Sequence, residues 1–153
     1  MLEKGIGKAL EHEHTDGISI NTSFEPDLPL IEGDIKARTE CFASLITNAL
    51  EATYDQGDPR IDISAKQRKG KGVDAILITI TDNGSGIPAE FRDKVFSPFS
   101  TSTPRGMGLG LPIAKRIAID HNGNIDIETA PRGTQVVVTL PVSIKRFTQG
   151  ARR

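Results

Sequence analysis

The stretch AILITITDNGSGIP, residues 75–88, decides how this chain is read. Its first half, AILITITD, is rich in isoleucine and threonine and reads as a β-strand. The strand ends on an acid, Asp82, and two glycines follow. Gly84 and Gly86 permit tight turns and let a ligand approach the backbone closely. In isolation the segment is ambiguous, because Asn-Gly after a strand is also a common hairpin signal. The flanking sequence separates a turn from a site.

Working upstream, IDISA (61–65) is a second strand-like run, joined to the first by the basic, glycine-containing loop KQRKGKG (66–72), which predicts a hairpin. Before it, Asp34 is placed to N-cap a long helix running to about Gln56. Cys41, Phe42, Leu45, Ile46, Ala49 and Leu50 form its apolar stripe, with Glu40, Ser44, Asn48 and Glu51 on an adjoining, more polar face. ISINTSF (18–24) reads as a strand, and Leu2, Ile6 and Leu10 recur at the spacing of a short first helix. Downstream, PAEFRDKVF (88–96) is a Pro-started helical turn, and SPFSTSTPRGMGLG (97–110) is a loop without apolar periodicity. A second long helix starts at Leu111, with Pro112 suited to its first turn and Asn122-Gly123 ending it. The strands NIDIET and TQVVVTLPV, joined by APRG, close the domain. Adjacent paired strands with two one-sided helices indicate an α+β fold, a two-layer sandwich in which helices cover one face of a mixed sheet. Residues 1–142 read as one domain, and 143–153, SIKRFTQGARR, as a basic C-terminal tail.

Composition narrows the function classes. The 153 residues, 37% hydrophobic, suit a single core and therefore one site. Nineteen Lys and Arg against twenty Asp and Glu give a net charge of −1, which disfavours nucleic-acid binding. The lone Cys41 cannot form an internal disulfide, and no apolar run approaches the ~20 residues that span a bilayer. A charged N-terminal stretch is unlike a secretory signal, so the expectation is a cytoplasmic domain without membrane contact of its own.

Two further segments carry chemistry. GMGLGL (106–111) opens a helix, and free backbone N–H groups at a helix N-terminus reached through glycines suit phosphate. Leu109 and Leu111 interleave the glycines and anchor the loop. Within LITNALEA (45–52), Asn48 sits where the helix turns from apolar to polar, so that its amide oxygen can serve Mg²⁺ as a hard donor. A dinucleotide fingerprint fits poorly, since Gly106, Gly108 and Gly110 follow a Ser/Thr loop and not a strand. The P-loop lysine is absent, as are the HRD and DFG elements of Ser/Thr/Tyr kinases.

The order of these segments resembles the GHKL superfamily of ATPases. LITNALEA looks like its N box, DNGSGIP its first glycine box, VFSPF its F box, GMGLGL its second glycine box and Arg132-Gly133-Thr134 its last. The resemblance runs from about Ile18 to Val142, and it is closest to the catalytic domain of sensor histidine kinases through DLPLIEGD, the pair Phe96 and Phe99, and the helix ending DHNGN. It implies a Bergerat-type fold that binds ATP with Mg²⁺. Asp82 would hydrogen-bond the adenine amino group, supported by Thr134, and Asn48 would hold Mg²⁺. Gly84 and Gly86 would line the base and ribose, and Gly106, Gly108 and Gly110 would close over the triphosphate. Ile87, Phe99, Leu109 and Leu111 complete the implied nucleotide set. The γ-phosphoryl group would pass to a histidine on a separate dimerisation domain, with a response regulator downstream.

The chain departs from that pattern at three positions. Ser44 stands four residues before the Mg²⁺ asparagine, where histidine kinases usually carry an amide and hydrolytic members a glutamate base. Glu51 and Thr103 stand where lysines are frequent. Arg105 is then the candidate cation for the γ-phosphate, and Ser44 and Arg105 are the expected catalytic positions. His12 and His14 precede the first strand and His121 ends a helix, so none is expected to accept phosphate. An anti-sigma-factor-type serine kinase and a nucleotide-binding regulatory module are the competing readings.

Overall fold

The computed structural model describes residues 16–97, 110–130 and 132–142, together with Gly7 and Glu11, which are helical. Five strands form one sheet in the order β1-β2-β3-β5-β4: β1 (Ser19–Phe24), β2 (Arg60–Arg68), β3 (Ala75–Asp82), β4 (Asn124–Ala130) and β5 (Gly133–Pro141). β1 runs parallel to β2 and every other pairing is antiparallel, so the sheet is mixed. Two helices, α1 (Ile35–Thr53) and α2 (Gly110–Asp120), pack on each other and on the sheet. This is the two-layer architecture expected from the sequence.

α1 begins where the Asp34 carboxylate accepts from the N–H groups of Lys36 (2.8 Å) and Ala37 (3.2 Å), satisfying donors that the first turn leaves without an internal partner. Its stripe from Cys41 to Leu50 is buried in one cluster with Ile61 and Ile63 of β2 and Ile76, Ile78 and Ile80 of β3. Burial of each such side chain contributes roughly 1.5–3 kcal/mol. α2 adds Ala114 and Ala118, whose small side chains let it lie close, and the Cys41 thiol donates to the Ala114 carbonyl at 3.6 Å. Burial pushes that thiol up to about 12, so it stays protonated and is a packing group, not a nucleophile.

His121 ties the two helices at their far ends. Its Nε2 accepts from the Asp34 N–H at 3.2 Å, which leaves Nδ1 to donate to the Ile117 carbonyl at 2.8 Å. Asn122, at φ 60, then turns the chain, and the Gly123 N–H returns to the Ala118 carbonyl. His121 thus bridges the end of α2 and the start of α1 through both ring nitrogens.

Two boundaries differ from the sequence expectation: α1 stops at Thr53, short of Gln56, and β2 runs longer. Lys66, Gln67 and Arg68 extend β2 where a loop was expected. The Gln67 N–H donates to Glu25 and its amide to Asp74, so side chains on both flanks of the strand hold the extra turn of ladder in place. The Asp74 carboxyl lies below its ordinary range because it accepts from the Gly70 N–H and from Lys69, which shapes the shortened hairpin tip.

Candidate nucleotide site

Asp82 closes β3 beside Thr134 on β5, and both are buried. Its Oδ1 accepts from the Gly84 N–H at 2.9 Å, and the backbone N–H of Thr134 also donates to the carboxylate. Burial pushes this carboxyl up to about 6, with those two N–H groups pulling it partly back. A carboxylate held at the sheet's end by backbone donors is a fixed acceptor for a ligand amine.

The glycines on either side are sterically required. A Cβ on Gly84 would overlap the Ala52 carbonyl at the end of α1 and stand 2.9 Å from Asp82 Oδ1. Gly133 has φ +123, and a Cβ there would strike the Asp82 carbonyl. These positions let α1, β3 and β5 converge on Asp82. Gly86, at φ 75, turns the loop, and the half-buried Ile87 is fixed by its N–H donating to Thr129 Oγ1 at 2.9 Å.

Ser44 and Asn48 are half-buried and one turn apart on α1. Ala52 follows one turn later, so the row Ser44, Asn48, Ala52 runs along one helix face to the contact with Gly84. Leu111, in the first turn of α2, is partly buried against the core, and Gly110 opens that helix. Among the described residues no group of three or more His, Cys, Asp or Glu is placed to hold a metal ion. A magnesium ion here would take its oxygens from the Asn48 amide, phosphates and water, a donor set that suits a cation which dehydrates reluctantly.

Phe99, Thr103, Arg105, Gly106, Gly108 and Leu109 lie outside the described residues, as do His12 and His14. The elements flanking residues 98–109 are described. Before them, Ala89–Lys94 forms a 3₁₀ helix after Pro88, and Phe96 then packs on the core. After them comes α2, whose Lys115 Nζ lies 4.9 Å from the centre of the Phe96 ring, 2.8 Å from Asn124 Oδ1 and 3.4 Å from the Ile125 carbonyl. Lys115 thus joins the turn before this segment to the helix after it.

Three supporting residues carry no signal that single-sequence reading could use. Asn83 accepts from the Arg60 N–H at 2.7 Å and donates to the Asp58 carbonyl at 2.6 Å, so it stitches the loop to the start of β2 and does not form a hairpin turn. Thr129 and Lys115 act through partners 42 and 10 residues away, respectively. No helix among the described residues is long and apolar enough to cross a membrane.

Comparison with known proteins bears on the family and the fold. Residues 33–144 match the family model described as histidine kinase-, DNA gyrase B- and HSP90-like ATPase. The C4-dicarboxylate transport sensor protein DctB of Rhizobium meliloti is 42% identical over 97 residues, which are 63% of this chain and 15% of that protein. The sensory histidine kinase/phosphatase NtrB of Rhodobacter capsulatus is 36% identical over 131 residues, 81% of this chain and 37% of that protein. The chain therefore spans well under half the length of these relatives. Among solved structures, a mycobacterial sensor histidine kinase, MprB, superposes with a TM-score of 0.77 at 25% identity, covering 92% of this chain and 91% of that one. The match over residues 33–144, which takes in both helices and the convergence on Asp82, shows that this chain belongs to the histidine kinase-, DNA gyrase B- and HSP90-like ATPase family.

Proposed function

We propose that this domain binds ATP with Mg²⁺ beside Asp82 and delivers the γ-phosphoryl group to a histidine on a separate dimerisation domain of a two-component sensor kinase, with a response regulator downstream. The observation that carries this reading is the buried Asp82 carboxylate, held by the N–H groups of Gly84 and Thr134 in a chain of the ATPase family. Asp82 accepts from the adenine amino group, and Thr134 keeps the carboxylate aimed. Asn48 contributes an amide oxygen to the metal, which when bound neutralises charge on the phosphates. Gly84 and Gly86 admit the base and ribose, with Ile87 as apolar lining. Phe99, Gly106, Gly108, Leu109, Gly110 and Leu111 belong to the segment that covers the triphosphate, and Arg105 is its candidate cation.

In the transfer an imidazole nitrogen of the partner attacks the γ-phosphorus, the bond to the β-γ bridging oxygen breaks, and ADP leaves. Ser44 is a weak base, so water in the site is not activated as it would be by a carboxylate. Labelled ATP, Mg²⁺, this chain and a histidine-bearing dimerisation domain are expected to yield an acid-labile phosphoprotein. An acid-stable product would indicate a serine kinase instead, and no product together with intact nucleotide binding would indicate a regulatory module. Asp82→Asn is expected to abolish ATP binding, and unchanged binding would remove Asp82 from the site.

A further inference from the structure

A cavity of about 290 Å³ opens at the end of the sheet away from Asp82, between the β1–α1 connection and the first turns of α1. Phe24, Leu28, Phe42 and Ile76 contribute to its apolar wall, while Leu30 and Ile35, which also line it, are 74% and 54% exposed. Large aliphatic side chains standing in water beside an apolar hollow mark a surface that gains from being covered. The connection from β1 to α1 is itself acidic, although the exposed Lys36 follows Ile35 and the exposed Lys66 and Arg68 end β2 near Glu25. From Phe24 to Ile35 the chain carries Glu25, Asp27, Glu32 and Asp34, all exposed, and no Lys or Arg. Arg38, which lines the cavity, is buried, donates to the Ile31 carbonyl and is drawn towards Asp34, so within the connection the exposed charges at Asp27 and Glu32 are acidic.

The chain itself leads to this place. β5 ends beside the start of β3, where the Val142 N–H donates to the Asp74 carbonyl at 2.7 Å. Leu140 pairs with Ile76 and shares its face, and Val142, two residues on, packs against the core on that same side. Next come residues 143–153, SIKRFTQGARR, which carry Lys145, Arg146, Arg152 and Arg153, no acid, and two large apolar residues, Ile144 and Phe147. β1, which carries Phe24, lies three strands from β5, a separation of about 14 Å. Five extended residues from Val142 to Phe147 reach about 16–18 Å. Reach, charge and apolar content therefore match.

We propose that the segment 143–153 docks into this groove, with Phe147 filling the cavity and Lys145 and Arg146 set against the acidic rim. The full chain has no tryptophan, so Phe147→Trp supplies a single fluorescent reporter. Its emission is expected to be blue-shifted and to move to the position of a solvated indole when Leu30→Asp is added. Asp27→Lys combined with Glu32→Lys, at exposed positions outside the core, should release the reporter in the same way, and added salt should weaken the docking by screening the rim. A solvated emission in the Phe147→Trp chain would overturn the proposal. So would a blue shift indifferent to both rim variants, which would place the segment elsewhere, or one that grows with protein concentration, which would assign the groove to a second copy.

Discussion

Asp82 is the residue at which stability and the proposed function oppose each other. Its folded-state carboxyl sits near 6, above the ordinary value of 3.8. Between those values the folded chain holds a proton that the unfolded chain has released, so stability falls as pH rises from about 4 to 6 and stays lower above that. Asp82→Asn removes this cost. The variant is expected to be more stable than the parent at pH 7.5, by on the order of 3 kcal/mol, and the difference should vanish below about pH 3. Calorimetry at both pH values checks it. Nucleotide binding runs the other way. If the charged form is the one that binds, affinity for ATP should drop about tenfold between pH 7 and pH 5, and titration calorimetry showing a flat profile would remove the carboxylate from base recognition. Asn83 has a different task, bridging Arg60 and Asp58. Asn83→Ala should lower stability by about 1 kcal/mol in urea unfolding, since two exposed backbone groups exchange this partner for water. Asp82 and Gly84 stood out because an acid after a strand and a glycine at a turn are local signals, whereas Thr134 was named only through the resemblance of Arg132-Gly133-Thr134 to a family box. Asn83 did not stand out, since Asn-Gly has the same local appearance whether it turns a hairpin or stitches two strands.

At the scale of elements, the sequence placed α1 and α2 and all five strands, because each has one apolar face and a recognisable start or stop. Asp34 caps α1 as expected, and Asn122-Gly123 ends α2. The end of β2 was misplaced because its last residues are polar and are held by Glu25 and Asp74 from other elements. Local composition does not report such support. Lys115 is a comparable case: its position on α2 reads as a solvated cation, yet it joins Phe96, Asn124 and Ile125. Lys115→Met is expected to lower stability by about 1 kcal/mol, and Lys115→Arg to recover most of it by keeping the cation over the ring. Chemical denaturation of the two variants measures this, and equal losses in both would show that the ring contact contributes nothing. In the core, Ile46→Ala should cost about 2–5 kcal/mol, because Ile46 is fully buried between α1 and the sheet.

For the whole molecule, the proposed division of labour is that this domain positions the nucleotide and a partner supplies the acceptor. Because Ser44 stands where a base or amide is usual, phosphotransfer to the partner histidine should exceed ATP hydrolysis by this chain alone by a wide margin. Ser44→Glu is expected to raise hydrolysis, and phosphate release assays with and without the partner would detect the change. The sequence by itself determined the family pattern and the two-layer α+β architecture, since these rest on short-range periodicity and on motifs in register, and through the resemblance it nominated the pocket residues. Only the tertiary structure decided which distant groups support that pocket. The Thr129 bond to Ile87, the closeness of Gly133 to Asp82, the clasp of Lys115 on Phe96 and the acidic groove at the opposite end all join segments far apart along the chain. Such contacts arise when strands out of sequence order, as β3 beside β5, are paired and covered, a global consequence of burying one apolar face that no local window contains.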